Sequence, residues 1–220
     1  MNRLVKHTKD VNRIRTFKKG ATLLFQGEIP RSAYIVEEGV VRAYSVKTSG
    51  EESIVALFTK GDIFPLPWLL STTSNTLFYY EAIEDTRVTC IPKDAFHKAL
   101  EEDYELSKDV MKYINQQYTA MLVRITGLSQ SRAIEKISYI FYYLMFRYGI
   151  EGKDGNYKID LKLNHSIIAS LTGITRESTT TNLGVLKEKG IVDYTRSSFS
   201  VNKRRLENFI GEDGFRELSL

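Results

Sequence analysis

The hydrophobic rhythm of the chain changes part-way along. Between residues 17 and 92 apolar residues come in short runs rich in β-branched and aromatic side chains: Thr22 to Phe25, Ser32 to Val36, Val40 to Val46, Ser53 to Phe58 and Arg87 to Ile91. Glycines at 20, 27, 39, 50 and 61 punctuate them. Short strands with turn residues at this spacing predict an antiparallel barrel or sandwich, not alternating βα units. After residue 102 the period becomes helical. Tyr104, Met111, Ile114, Tyr118, Met121, Ile125 and Leu128, with Ser107 as a polar member, repeat at heptad spacing, and no proline or glycine intervenes before Gly127. That is the seam of a coiled coil. Val110, Tyr113 and Leu122 lie beside it and are expected to face the β domain. A seam plus an intramolecular face predicts a dimerisation helix; a single core helix of a monomer is the other reading.

Ser129 to Tyr148 reads as a further helix, with Ala133, Ile137, Ile140, Phe141, Leu144 and Met145 inward, followed by a loop and a strand-like Tyr157 to Leu161. The segment LNHSIIASL (163 to 171) then gives a helix whose Leu163, Ile168 and Leu171 face a core, and Gly173 supplies a turn. Thr175 sits where an N-cap belongs, so the next helix starts at Arg176. At the helical period Thr179, Leu183 and Leu186 form its inner stripe, while Arg176, Glu177, Thr180, Thr181 and Lys187 lie on or near the outer one. Helix, glycine turn and helix is the pattern of a helix-turn-helix, whose second helix enters the DNA major groove. Ordinary helical packing is the alternative for such a pattern in isolation. Here Gly190 ends the second helix, and Ile191 to Tyr194 and Phe199 to Val201 read as two strands around Thr195, Arg196, Ser197 and Ser198. This is a wing, with Arg196 and the two serine hydroxyls available to phosphates.

The fold class expected is therefore α+β: an N-terminal antiparallel, jelly-roll-like β-roll over residues 1–102, a dimerisation helix over 103–128, and a winged helix-turn-helix over 129–220.

The net charge of +4 is unevenly spread. Lys158 to Arg205 holds 9 basic against 4 acidic residues, and this window contains the whole helix-turn-helix and wing. The positive field sits where phosphates would. One cysteine, Cys90, excludes an internal disulfide and a four-cysteine iron–sulfur centre; a small buried hydrophobe on a strand is its simplest reading. Neither a signal peptide nor a span of about 20 apolar residues is visible, so a cytoplasmic location with no membrane attachment is expected. No glycine-rich phosphate loop, HExxH or Gly-x-Ser-x-Gly is present, which argues against an enzyme.

The order of parts resembles the Crp/Fnr family of bacterial transcription regulators over essentially the whole chain. FKKGATLLFQGE (17 to 28), YIVEEGVVRAYSV (34 to 46) and FTKGDIF (58 to 64) are similar to its cyclic-nucleotide-binding β-roll; ITRESTTTNLGVLKEKGIV (174 to 192) is similar to its recognition helix, opened by a Ser/Thr-Arg-Glu triplet. The resemblance implies that Arg176 binds a guanine O6/N7 pair and Glu177 accepts from a cytosine amino group, chemistry that fits those base edges. It implies backbone contacts for Thr175, Ser178 and His165, although a satisfied surface histidine is the simpler reading of the last. Thr181 stands where many members carry a second base-reading arginine, and Thr180 flanks it, which changes the expected half-site.

The ligand positions also depart from the family. Pro65 and Leu66 replace a Gly-Glu pair, and Thr76 and Leu77 replace an Arg-Ser/Thr pair, aligned on Ala82. Nothing there neutralises a phosphodiester, so no tight cyclic-AMP binding and no cofactor are expected. Trp68, Phe78, Tyr79 and Tyr80 fall near this pocket in sequence, either as an apolar site or as plain core. The partners implied are a palindromic double-stranded promoter site, a second copy of the chain and RNA polymerase, with the effector unspecified. The competing function is a ligand-binding or interaction module that has lost DNA binding.

Overall fold

The short strands of the front half pair into two antiparallel sheets. A computed structural model describes residues 2–196 and 198–211. It contains β1 (Arg13–Phe17), β2 (Thr22–Leu24), β3 (Ala33–Glu38), β4 (Val41–Val46), β5 (Glu52–Phe58), β6 (Ile63–Phe64), β7 (Tyr79–Ala82) and β8 (Thr86–Ile91). One sheet has the order β1-β8-β3-β6 and the other β2-β7-β4-β5. Strand alternation sends successive side chains to opposite faces. Thus Tyr34, Val36, Val88 and Cys90 meet Val41, Ala43, Tyr80 and Ala82 between the sheets, while Ala33, Ile35, Ile63 and Ile91 face the other way. Helices cover that outer layer: α1 (Asn2–His7) lies before the strands, α2 (Leu66–Leu69) lies between β6 and β7, and α3 (Lys93–Glu102) and α4 (Tyr104–Leu128) follow β8. Leu4, Trp68, Phe96, Leu106 and Val110 are their buried contributions. Gly39 makes the β3–β4 turn at φ +87°, where a Cβ would come within 2.4 Å of the Asp85 carbonyl.

The aromatics near the expected ligand pocket do not cluster. Trp68 packs in the helix-side core, Phe78 and Tyr80 join the core between the sheets, and Tyr79 is sent to the outer face, stacked on Tyr44 at 5.2 Å. Tyr79 and Tyr80 are neighbours on one strand, and so they part.

The molecule divides into two compact units, with the boundary after Ile114, inside α4. In the first unit Tyr113 donates to Asp62 Oδ1 (3.1 Å) and accepts from the Ile63 amide (3.2 Å), and Val110 is buried, as expected of residues facing the β domain. Leu122, in the second unit, is 45% exposed. The heptad positions Tyr104, Met111, Tyr118 and Ile125 are 75%, 69%, 61% and 59% exposed, so these four form an apolar row open to water, whereas the seam position Ile114 packs on the helix-side core.

The second unit contains α5 (Ala133–Tyr148), β9 (Gly149–Glu151), β10 (Asn156–Ile159), α6 (His165–Thr172), α7 (Arg176–Glu188), β11 (Val192–Tyr194), β12 (Phe199–Asn202) and α8 (Lys203–Ile210). Ile137 through Met145 are all buried, which makes α5 the central helix of this unit. It starts not at Ser129 but at Ala133, where the Glu135 carboxylate accepts from the Arg132 amide at 3.3 Å and from its Nε at 2.8 Å. Gly127 lets α4 approach α5: a Cβ on it would lie 2.4 Å from Tyr139 Cβ. α6 starts after Asn164, whose side chain accepts from the Ile167 amide at 2.9 Å. Strands β11-β12-β10-β9 form one antiparallel sheet, so the wing hairpin extends a sheet that also holds the strand expected near Tyr157. Among the described residues no helix is long and apolar enough to cross a membrane.

Candidate nucleic-acid interface

The second helix of the helix-turn-helix is fixed from its first residue. Thr175 is extended (φ −70°, ψ 156°) and its Oγ1 accepts from the Ser178 amide at 3.1 Å, which ends the turn begun by Gly173 in the left-handed region. Thr179, Leu183 and Leu186 are buried, and they hold α7 against the rest of the unit. That fixes the opposite face toward water. Arg176, Glu177, Thr180 and Thr181 are exposed there, and Ser178 is half-buried at its margin. Neither Arg176 nor Glu177 makes a side-chain hydrogen bond or ion pair with the described residues. Both are thus open to a partner without breaking an internal contact. Glu177 also lies in the first turn, where the helix dipole favours a negative charge.

The threonines behave differently. Thr180 Oγ1 donates to the Arg176 carbonyl (3.0 Å) and Thr181 Oγ1 to the Glu177 carbonyl (3.1 Å). Each hydroxyl has only one proton, so what remains for a partner is an acceptor lone pair and a methyl group. His165 lies 2.9 Å from Thr180 through Nδ1. Because the threonine proton is already given to the backbone, His165 Nδ1 must be the donor. The same ring sits edge-on to Tyr194 at 5.5 Å, and Tyr194 stacks on Phe199 at 5.3 Å. His165 therefore joins α6, α7 and the wing, a structural role that does not depend on any phosphate.

Lys187 is placed at the junction of α7 and the wing. Its Nζ lies 2.8 Å from Asp193 Oδ1 and donates to the Tyr194 carbonyl at 3.2 Å. The hydrogen bond that Lys187 donates to Asp193 raises the lysine above its ordinary range, and the ammonium lowers the carboxyl of Asp193. A phosphate would compete with Asp193 for this cation. Arg196 is exposed at the tip of the wing; Ser197 lies outside the described residues. The tip is closed by the Thr195 amide donating to the Ser198 carbonyl at 2.9 Å.

Two supporting arginines were not singled out by the sequence pattern. Arg205, from α8, points Nη1 at the carbonyls of Lys189 and Gly190, both at 3.4 Å, and so brings a cation to the C-terminal end of α7. Arg124, nearly buried, donates to the Leu171 carbonyl at 3.0 Å and thereby holds the last turn of α6, next to the Gly173 turn. Neither has a local sequence signal: Arg205 lies 15 and 16 residues from the carbonyls it meets, and the Arg124 pairing spans 47.

In the front unit the four replaced ligand positions carry no charge. Thr76 is buried and turns its hydroxyl to the Phe25 carbonyl, Leu66 packs on the helix-side core, and Leu77 is 43% exposed.

With this geometry in place, comparison with known proteins is decisive. A family model described as cyclic nucleotide-binding domain matches residues 14–103, and one described as Crp-like helix-turn-helix domain matches residues 135–209. The chain belongs to the Crp/Fnr family of transcription regulators. Among the relatives of this Crp/Fnr protein is the global nitrogen regulator of Nostoc sp., 28% identical over 191 residues, covering 86% of this chain and 85% of the relative. Another is the transcriptional regulator SdrP of Thermus thermophilus, 28% identical over 186 residues, covering 84% of this chain and 85% of the relative. A solved structure of a CooA mutant from Carboxydothermus hydrogenoformans shares the fold at TM-score 0.75 and 22% identity, covering 94% of this chain and 89% of that one. The two matched regions leave the whole of α4 between them, which is the helix that carries the heptad stripe.

Proposed function

We propose that this Crp/Fnr-type regulator acts as a homodimer on a two-fold symmetric DNA site, reading each half-site with Arg176 and Glu177 and responding to no cyclic AMP. The observation that carries the reading is the pair of unpaired, exposed side chains on the first turn of a capped helix whose other face is buried. A guanidinium there suits guanine O6/N7, and a carboxylate suits the cytosine amino group. Thr181 in place of an arginine supports a thymine-methyl contact at the next step, because its hydroxyl proton is spent on the Glu177 carbonyl. Thr175 and Ser178 lie at the helix mouth, where phosphates meet free amides. Arg196 on the wing tip is a phosphate contact.

The dimer rests on the α4 stripe. Four large apolar side chains at seven-residue spacing, each more than half exposed, are costly to leave in water, and a second copy of the same helix covers them in a closed two-fold pair. Such a pair sets two recognition helices one DNA turn apart. Contact with RNA polymerase is part of this reading as the route by which binding alters initiation. The lack of cyclic-AMP response rests on Pro65, Leu66, Thr76 and Leu77, which offer no cation to a cyclic phosphate.

Two measurements test it. A gel-shift of the purified full-length protein on its own upstream region is expected to give a discrete complex without added ligand; a protein that has become an interaction module gives none. Isothermal titration with cyclic AMP is expected to show no saturable heat, and a micromolar affinity would refute that part.

A further inference from the structure

β1 carries its charges on the wrong side. Register pairs Arg13 with Cys90 and Arg15 with Val88, and Cys90 in turn with Tyr34. Residues directly opposite in a sheet share a face. Arg13 and Arg15 therefore lie on the inner face with Cys90, Val88 and Tyr34, the face turned toward the second sheet, while Ile14 lies on the outer face at 64% exposure. An edge strand placed there for packing would have the opposite pattern.

The two arginines line an open recess of about 640 Å³ at the edge of the roll. Arg31 reaches it from the β2–β3 connection, and Tyr34 and Cys90, both buried, form part of its wall. Glu28 is the one carboxylate in the lining, so the recess holds three cations against one anion. No guanidinium of the three is ion-paired with a described residue; Arg15 rests over the Phe17 ring at 4.8 Å. The neighbouring hollow at the other end of β1 shows what a self-satisfied surface looks like: there Lys18 pairs with Asp85 at 2.8 Å and Arg87 with Glu38 at 2.6 Å. Burial pushes the Cys90 thiol up, and the charges of Arg15 and Arg13 oppose that shift.

We propose that this recess is an anion-binding site for a small ligand with two or more acidic groups, carboxylate or phosphate. Guanidinium forks bind either group through paired charge-assisted hydrogen bonds, and three forks around one hollow select for more than one acidic group. None of Pro65, Leu66, Thr76 and Leu77 lines the recess, although the Thr76 amide donates to the Glu28 carbonyl at 2.9 Å. The recess gives the front unit an effector of its own chemistry.

The test uses the full chain, with pyrophosphate and citrate as separate probes at constant chloride ionic strength. Saturable binding of at least one probe, near one per chain, is expected, and which probe binds decides between phosphate and carboxylate. Arg13→Gln, Arg15→Gln and Arg31→Gln are each expected to weaken it by roughly tenfold or more, the loss of one charge-assisted pair. Lys18→Gln removes the same charge outside the recess and is expected to leave binding unchanged. The chain has a single cysteine, so alkylation by iodoacetamide reports on the recess wall, and bound probe is expected to slow it. The proposal is overturned if neither probe saturates, if Lys18→Gln weakens binding as much, or if Cys90 alkylation is unchanged at saturation. It is also overturned if the arginine variants only self-associate, since inward charges on an edge strand then serve to block strand pairing.

Discussion

His165 and Thr180 tie the two helices of the helix-turn-helix together: the histidine Nδ1 lies 2.9 Å from the threonine Oγ1, and that hydroxyl also reaches the Arg176 carbonyl at 3.0 Å. Thr180 is thus held on both sides before any DNA arrives. His165→Ala and Thr180→Val remove the same bond. In a double-mutant cycle by urea unfolding they should show a coupling of about 0.5–1.5 kcal/mol, the net worth of one hydrogen bond. Strict additivity would mean that the two side chains do not act together.

Asp193 holds Lys187 back from the phosphates. Asp193→Asn should free the ammonium, tighten DNA binding at low salt and steepen the plot of log affinity against log salt by nearly one unit, as one added phosphate contact does. An unchanged slope would place Lys187 outside the DNA footprint.

The same pair sets a pH window for the wing. The Asp193 carboxyl is lowered from 3.8 in the folded chain, so its contribution is complete above the unfolded value and is lost as pH falls through the lowered one. The Lys187 ammonium is raised from 10.5, so its contribution is complete below that value and is lost as pH rises through the raised one. Between those limits the bridge is intact. Amide protection in Val192–Tyr194, relative to the intrinsic exchange rate, should be flat across neutral pH and fall at both ends, and Asp193→Asn should abolish the acid limb.

Tyr118 and Ile125 lie seven residues apart on the open stripe of α4. Ile125→Glu should convert the protein to a monomer in sedimentation velocity, because two like charges would meet across a two-fold seam. Far-ultraviolet circular dichroism should be nearly unchanged, since the side chain is mostly exposed in the single chain. A variant that remains a dimer locates the interface elsewhere.

Leu183 anchors the inner stripe of α7 and is fully buried. Leu183→Ala should cost about 2–5 kcal/mol of stability in the second unit, the usual range for a cavity left by leucine. A smaller loss would mean that α7 is held mainly by its cap and turn.

The sequence made α7 legible because three independent signals agreed: the Thr175 cap, the Thr179–Leu183–Leu186 stripe and the Gly190 stop. The α4 stripe was legible for a similar reason, since a heptad repeats without interruption. β1 was not, because Arg13 and Arg15 take the inward positions and Ile14 the outward one, so the segment reads as a basic tail. α8 was missed because its eight residues open on Lys203, Arg204 and Arg205, and Leu206, Phe209 and Ile210 supply only one turn of apolar repeat. The pairing of Lys187 with Asp193 crosses the Gly190 turn, and only the fold of the wing brings the two together. Tyr79 and Tyr80 looked like one aromatic patch in sequence; the pleat of β7 divides them between two faces.

Selection of DNA from a random pool by the whole chain and by its Arg176→Ala variant decides whether Arg176 reads a base in a two-fold site. The expected outcome is two-fold symmetric sites with half-sites one helical turn apart, and in the variant a loss of guanine preference at one position per half-site with about 1–3 kcal/mol weaker binding. A pool that shows no symmetric enrichment, or an Arg176→Ala variant with unchanged base preference, would contradict it.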